Sequence, residues 1–188
     1  MHNMKDYKNI IPAKYHNVSY ETDVSETVKK ESIKQIRNRE GLYIWGEPGC
    51  GKTHVACALA KNLLKNGIDV LFYNTGDLLE KIREDYNRVY TEPDDKGLFR
   101  EIMDFKGVLI LDDIASEKDN EWAKERLYLI INKRWDDILP TIFTSNCDME
   151  ILSARIGDRI TSRIAGMTTR VLIPGSDKRL EKKSNETN

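Results

Sequence analysis

Several features that would each define a class of protein are scarce or missing in this chain. No run of apolar residues approaches the ~18–20 needed to cross a bilayer. Residues 1–20 hold no apolar stretch between a basic start and a small-residue cleavage site. Neither a membrane span nor a secretory signal is therefore expected. The three cysteines, Cys50, Cys57 and Cys147, are odd in number, scattered, and form no C-x-x-C pair. His2, His16 and His54 share no ligand spacing with them. A disulfide scaffold and a structural zinc site are not expected, and a reduced cytoplasmic setting is. Charge of one sign is lacking too: 30 Lys plus Arg face 31 Asp plus Glu, for a formal net charge of −1. Bulk charge gives no reason for nucleic-acid or membrane binding, so any basic site must be local.

What is present suits one soluble, globular domain. The chain has 188 residues, of which 39% are hydrophobic and 32% charged. A chain of that length buries about 70% of its unfolded surface and needs no staple. Residues 1–40 are polar and mixed and are expected to form an arm or linker. Within it a helix over Glu21 to Arg39 would turn Val24, Val28, Ile33 and Ile36 inward. Residues 41–175 carry the alternating signals of a core, and 176–188 form a polar tail.

In the core, short apolar runs alternate with helical patterns. The runs are Leu42–Trp45, Val70–Tyr73, Val108–Leu111, Thr141–Thr144 and Thr169–Ile173. Between them Val55, Leu59 and Leu63 share one helix face, which Gly67 is placed to end. Thr75 is placed to cap a helix with Leu78, Leu79, Ile82 and Tyr86. Asp94 or Asp95 would open one holding Leu98, Phe99, Ile102 and Met103. Ala123, Leu127, Ile131 and Trp135 mark another. Strands and helices in alternation predict an α/β fold: a five-stranded parallel sheet with helices on both faces.

The first strand runs into Gly46-Glu47-Pro48-Gly49-Cys50-Gly51-Lys52-Thr53, which matches G-x-x-x-x-G-K-[ST]. Glycines let backbone N–H groups converge on a phosphate, and the following helix points its positive end at the same anion. In this pattern Lys52 reaches the β- and γ-phosphates and the Thr53 hydroxyl ligates Mg²⁺. Cys50 occupies a free position, and His54 is the next helical residue.

A phosphate loop does not by itself distinguish kinases, GTPases and ATPases. The strand Val108–Leu111 leads into Asp112-Asp113, at the end of a parallel strand where ligands bind. Asp112 would hold the Mg²⁺ shell and Asp113 would orient the attacking water. The fourth strand leads to Thr144-Ser145-Asn146, and Asn146 beside Asp113 would touch the water or the γ-phosphate. Ser and Asn also favour turns for local reasons. Arg159 and Arg163 stand four apart in a segment that Gly157-Asp158 can open as a helix. Like charges at that spacing either meet an anion, such as a neighbouring subunit's phosphate, or form a solvated basic face.

With these stretches in hand, the chain resembles the AAA+ ATPases of the DnaC/DnaI helicase-loader group and the related IstB transposition helpers. The resemblance is carried by 41–56, by Leu109-Ile110-Leu111-Asp112-Asp113-Ile114, by Thr144-Ser145-Asn146 and by 157–164. It implies ATP binding and hydrolysis with Mg²⁺ at subunit interfaces of a homo-oligomeric ring or open helix. Single-stranded DNA would be the track and a replicative helicase the partner. Lys52 and Thr53 match Walker A, Asp112 the Walker B metal residue, and Asn146 sensor 1. Arg163 matches the arginine finger and Arg179 the sensor 2 arginine. Asp113 stands where most AAA+ proteins have Glu, which implies weak or regulated hydrolysis. Only residues 1–40 precede the first core strand, so the helicase contact is expected to use that short arm.

Two local questions stay open on the residues. Lys81, Arg83, Arg88, Lys96 and Arg100, with Tyr86, Tyr90 and Phe99, suit either a single-stranded DNA track or a solvated amphipathic face. A scaffold for a transposase or phage replication complex, with little turnover, is the alternative to a loading ATPase. A small-molecule phosphotransferase would leave Asn146 and Arg163 unexplained.

Overall fold

The computed structural model describes residues 7–89, 97–115 and 120–175, apart from the side chains of residues 33, 37 and 86–89. Arg179 and the rest of 176–188 lie outside the described residues. So do Tyr90, Asp94, Asp95 and Lys96, and the side chains of Ile33, Tyr86 and Arg88. Five parallel strands form one sheet in the order β2-β3-β4-β1-β5. They are β1 Gly41–Trp45, β2 Val70–Asn74, β3 Val108–Asp112, β4 Thr141–Ser145 and β5 Thr168–Leu172.

Alternation along each strand divides the apolar residues between two layers. Leu42, Ile44, Val70, Phe72, Val108, Ile110, Ile142 and Val171 join one cluster. Helices α1 (Tyr20–Asp23), α2 (Glu26–Arg37) and α3 (Lys52–Lys65) cover that face. Tyr43, Leu109, Leu111 and Phe143 join the other cluster. It is covered by α4 (Thr75–Val89), α5 (Gly97–Asp104), α6 (Glu121–Asp136), α7 (Met149–Ile156) and α8 (Asp158–Met167). The expected α/β sheet with helices on both faces is what forms.

The residues ahead of β1 are packed into the first layer. Two short 3₁₀ turns, Tyr7–Asn9 and Ala13–Tyr15, bring Ile11 and Val18 to burial in the cluster that holds α3. The Lys61 ammonium on α3 donates to the carbonyls of His16 (2.8 Å) and Val18 (3.0 Å) and lies 4.5 Å from the Tyr7 ring centre. One long helix over Glu21 to Arg39 does not form. Val24 is extended, and Ser25 caps α2 by accepting from the Val28 N–H. The break still buries Val24 and Val28, as the apolar spacing required.

Helix ends follow side-chain chemistry. Gly67 has φ 76°, and the bonds Gly67 N–H to Leu64 O and Ile68 N–H to Leu63 O close α3 as a Schellman motif. At α4 the cap is Asn74, not Thr75. The Asn74 side chain accepts from Gly76 and Asp77 N–H, and the buried Thr75 hydroxyl donates to Asp112 O at 2.9 Å. Asp148 caps α7, a helix the sequence reading did not assign, by accepting from Ile151 N–H.

Candidate functional site

The strand order places β4 between β1 and β3, so the loops after all three meet at one end of the sheet. Gly46 leaves β1 with φ 154°, and a Cβ there would lie 2.5 Å from Ile173 O. Gly51 caps α3 with φ 107°, and a Cβ there would meet nothing within 4 Å. Gly51 is thus required by its backbone conformation and leaves open space before the helix. Glu47 and Pro48 are exposed, Gly49 is half-buried and Cys50 is buried. The Lys52 ammonium is buried and donates to Gly46 O (2.9 Å) and Glu47 O (2.8 Å), with Cys50 Sγ 3.9 Å away. The loop's own carbonyls occupy the amine where a phosphate would compete for it.

The Thr53 hydroxyl donates to Asp112 Oδ2 at 3.0 Å, which ties the start of α3 to the end of β3. The other carboxylate oxygen, Oδ1, accepts from the Thr144 hydroxyl at 2.6 Å. Burial pushes the Asp112 carboxyl above its ordinary pKa, against the lowering effect of those two hydroxyls. Asp113 follows with φ 59°, in the left-handed region. Its N–H donates to Thr144 Oγ1 at 2.8 Å, and its Oδ1 accepts from Asn146 Nδ2 at 3.0 Å. Asp113 and Asn146, predicted as neighbours, are hydrogen-bonded.

Thr53 and Asp112 offer hard oxygen donors on facing elements. Among the described residues there is no cluster of three or more His, Cys, Asp or Glu side chains that would cage a metal. One carboxylate and one hydroxyl, with substrate phosphates completing the shell, is the donor set Mg²⁺ takes in phosphoryl-transfer sites. The residues fit that ion.

The remaining predicted residues lie apart from this cluster. His54 Nε2 is 2.9 Å from Asp23 Oδ2, joining the phosphate-loop helix to α1. Asp23 is held down to about 2, first by the Ser19 N–H, then by Thr22 and His54. Arg163 donates through Nε to Asn132 Oδ1 on α6 at 3.1 Å, with its guanidinium 5.5 Å from the Trp135 ring centre. Arg159 stacks 4.3 Å from the Tyr128 ring centre. Arg83 and Arg126 stack on Trp122 (4.7 Å) and Phe99 (5.3 Å).

Sequence reasoning missed Thr144, Asp23 and Asn132 as contacts of site residues. Thr144 left one trace: a hydroxyl inside a buried strand, two residues before Asn146.

A parallel sheet in this strand order, with a phosphate loop after β1, paired acids after β3 and a polar side chain after β4, has the AAA+ architecture of P-loop nucleoside triphosphatases. The likeness extends to solved structures. The chain belongs to the IstB-like ATP binding protein family, whose model matches residues 4–185. It is 25% identical over 136 residues to the replicative helicase loader DnaC of Escherichia coli strain K12, covering 72% of this chain and 54% of that one. The chain thus spans about half the length of the curated relatives it matches. A crystal structure of the DnaC helicase loader is 27% identical with a TM-score of 0.72, covering 87% of this chain and 100% of that one. The replication initiator DnaA bound to AMPPCP and single-stranded DNA shares the fold at 21% identity and a TM-score of 0.71, over 94% and 56% of the two chains. Among the described residues no helix is long and apolar enough to cross a membrane.

Proposed function

We propose that the chain is an ATP-driven switch that assembles with copies of itself on single-stranded DNA and loads or remodels a replicative helicase at the start of DNA replication. The observation that carries the nucleotide half is the Thr53–Asp112 hydrogen bond of 3.0 Å, which brings the two expected metal-holding groups to the mouth of the phosphate loop. The helicase half is supported by similarity to helicase loaders, and the proposal places this work in the cytoplasm.

Lys52 exchanges the carbonyls of Gly46 and Glu47 for β- and γ-phosphate oxygens, while the loop N–H groups and the positive end of α3 hold the rest of the anion. Mg²⁺, when bound by Thr53 and Asp112, neutralises charge on those phosphates. Asp113 orients the attacking water and takes up its proton. Asn146 donates to the Asp113 carboxylate at 3.0 Å and exchanges that contact for water or γ-phosphate when nucleotide binds. Arg163 reaches the site of an adjacent copy, and Arg179 is assigned to the nucleotide from the C-terminal side. Asp113 is one methylene shorter than the glutamate usual at this position, so hydrolysis is slow or regulated by a partner.

A second reading keeps the switch and drops the turnover: an ATP-dependent scaffold for a transposase or phage replication complex. The short reach of Asp113 and its bond to Asn146 favour it. Single-turnover hydrolysis with and without DNA separates the two. An Asp113→Asn protein that keeps its biological output supports the scaffold.

Calorimetry of ATP with and without Mg²⁺ tests the nucleotide site, and absence of heat in both sinks the proposal. Mixing Arg163→Ala with Lys52→Ala subunits tests sharing. The first keeps an intact pocket and the second keeps Arg163, so partial recovery of activity is expected. No recovery argues against a site completed between subunits.

A further inference from the structure

One side chain, Thr144, serves both aspartates of the site. Thr144 lies in β4, paired in register with Ile44 of β1, and is 1% exposed. Its hydroxyl has one proton and two lone pairs. The proton goes to Asp112 Oδ1 at 2.6 Å, and the oxygen accepts the Asp113 N–H at 2.8 Å. A valine has the same shape and can do neither.

Each bond has a consequence for geometry. With Oδ1 of Asp112 engaged by Thr144, the carboxylate plane is set and Oδ2 is the oxygen that meets Thr53. With its N–H engaged, Asp113 is held at φ 59°, a conformation that costs a non-glycine residue energy and persists only where its surroundings impose it. In that conformation the Asp113 carboxylate meets Asn146. β4 and the residue that follows it therefore supply, two positions apart, the group that sets the backbone of Asp113 and the group that meets its carboxylate.

We propose that Thr144 is a positioning residue that locks the two aspartates in their working orientations, one toward the metal and one toward the attacking water. This rests on the nucleotide reading above and deepens it. Thr144 is buried behind the two aspartates. It acts through Asp112 and Asp113, as groups behind the metal ligands of other sites do.

The test compares two pairs of variants that differ in the hydroxyl alone: wild type against Thr144→Val, and Thr144→Ser against Thr144→Ala. If the valine protein does not fold, the serine–alanine pair decides. A fluorescent ATP analogue is titrated in EDTA and across a range of Mg²⁺, and single-turnover hydrolysis is followed. Loss of the hydroxyl is expected to leave affinity in EDTA within about threefold. It should raise the Mg²⁺ concentration for half-maximal tightening by about 10–100-fold, and lower hydrolysis by at least about 100-fold. Thr144→Ser should stay within about fivefold of wild type on every readout.

Equal Mg²⁺ dependence within each pair overturns the proposal. So does a serine protein as impaired as the alanine one, or an equal loss of affinity in EDTA, which marks a collapsed pocket. A wild-type chain that binds nucleotide without hydrolysing it defeats the turnover reading, while the Mg²⁺ titration still decides the role of Thr144. A wild-type chain that binds no nucleotide overturns both.

Discussion

The Thr53 hydroxyl and the Asp112 carboxylate, 59 positions apart in the chain, meet at 3.0 Å. One opens the helix after β1 and the other closes β3, with β4 between those strands. The contact places a hydroxyl and a carboxylate before the phosphate loop, and the second carboxylate oxygen faces Thr144. The buried Asp112 carboxylate has a function to serve and a cost to stability, which makes the two effects separable.

Removing the Asp112 charge should stabilise the empty protein. The carboxylate is 6% exposed, beside Asp113, and its ordinary pKa is raised by burial. In Asp112→Asn the amide can donate to Thr53 while its oxygen still accepts from Thr144. The melting temperature without nucleotide should rise by a few degrees, at about 2–4 °C per kcal/mol for a domain of this size. Mg²⁺-dependent tightening of ATP should vanish. A lower melting temperature in the empty state would show that the carboxylate is a net structural asset.

Acid should loosen the contact between α1 and α3. Asp23 has an ordinary pKa of 3.8 and is held at about 2 in the folded chain. A depressed carboxyl contributes its full stabilisation above the unfolded value and loses it as pH falls through the folded one. The loss therefore runs from 3.8 down to about 2. Carbon-detected NMR titration of Asp23 should show this midpoint. His54→Ala should raise it only in part, because the Ser19 N–H bond of 2.8 Å remains. An unchanged midpoint in His54→Ala removes the histidine from the account.

Arg134 should prove structural although it is a charged residue. It is 1% exposed and donates to Thr141 Oγ1 and to the carbonyls of Phe105, Gly107 and Pro140. Burial lowers its pKa to about 10, which still leaves it charged at neutral pH. Arg134→Leu strands those acceptors and should cost about 3 kcal/mol or more in chemical denaturation. A loss below about 1 kcal/mol would mean that water replaces the guanidinium.

Single-stranded DNA should bind in a salt-dependent way, and more tightly with ATP. Arg83 is held against Trp122 at 4.7 Å, which leaves a stacked cation on the α4 side of the molecule. Affinity for an oligothymidine should fall steeply between about 50 and about 300 mM salt. Arg83→Ala should flatten the slope by about one contact. A salt-independent affinity would speak for apolar association, with the basic residues serving as a solvated face.

Much of the fold was legible because its signals are local. The five apolar runs became strands with ends displaced by one residue or less, and Gly67 closes α3 with the positive φ that its position suggested. Where two nearby groups competed, local reading chose less well. Asn74 rather than Thr75 caps α4, because the buried Thr75 hydroxyl is taken by a carbonyl from β3. Ser25 breaks the helix expected over Glu21 to Arg39, because a cap outweighed continued periodicity. Helix α7 carries Met149, Leu152 and Ile156 on one face after the Asp148 cap, but over two turns that period is too short to stand out in the sequence.

The phosphate loop and the acidic pair were visible as short patterns, since glycines before Lys52-Thr53 and acids after an apolar strand are consecutive in the chain. Asp23 beside His54 and Asn132 beside Arg163 left no such pattern, and the stretch Thr144-Ser145-Asn146 did not show that the Thr144 hydroxyl makes two hydrogen bonds to the acidic pair. From its order of residues alone, this chain determined which segments pair or coil and which loop can cradle an anion, because backbone conformation answers to near neighbours. Tertiary structure alone decided which strand lies between which. That choice set every cross-strand partner of Asp112 and Asp113, because a side chain's partners depend on the neighbouring strand and not on distance along the chain.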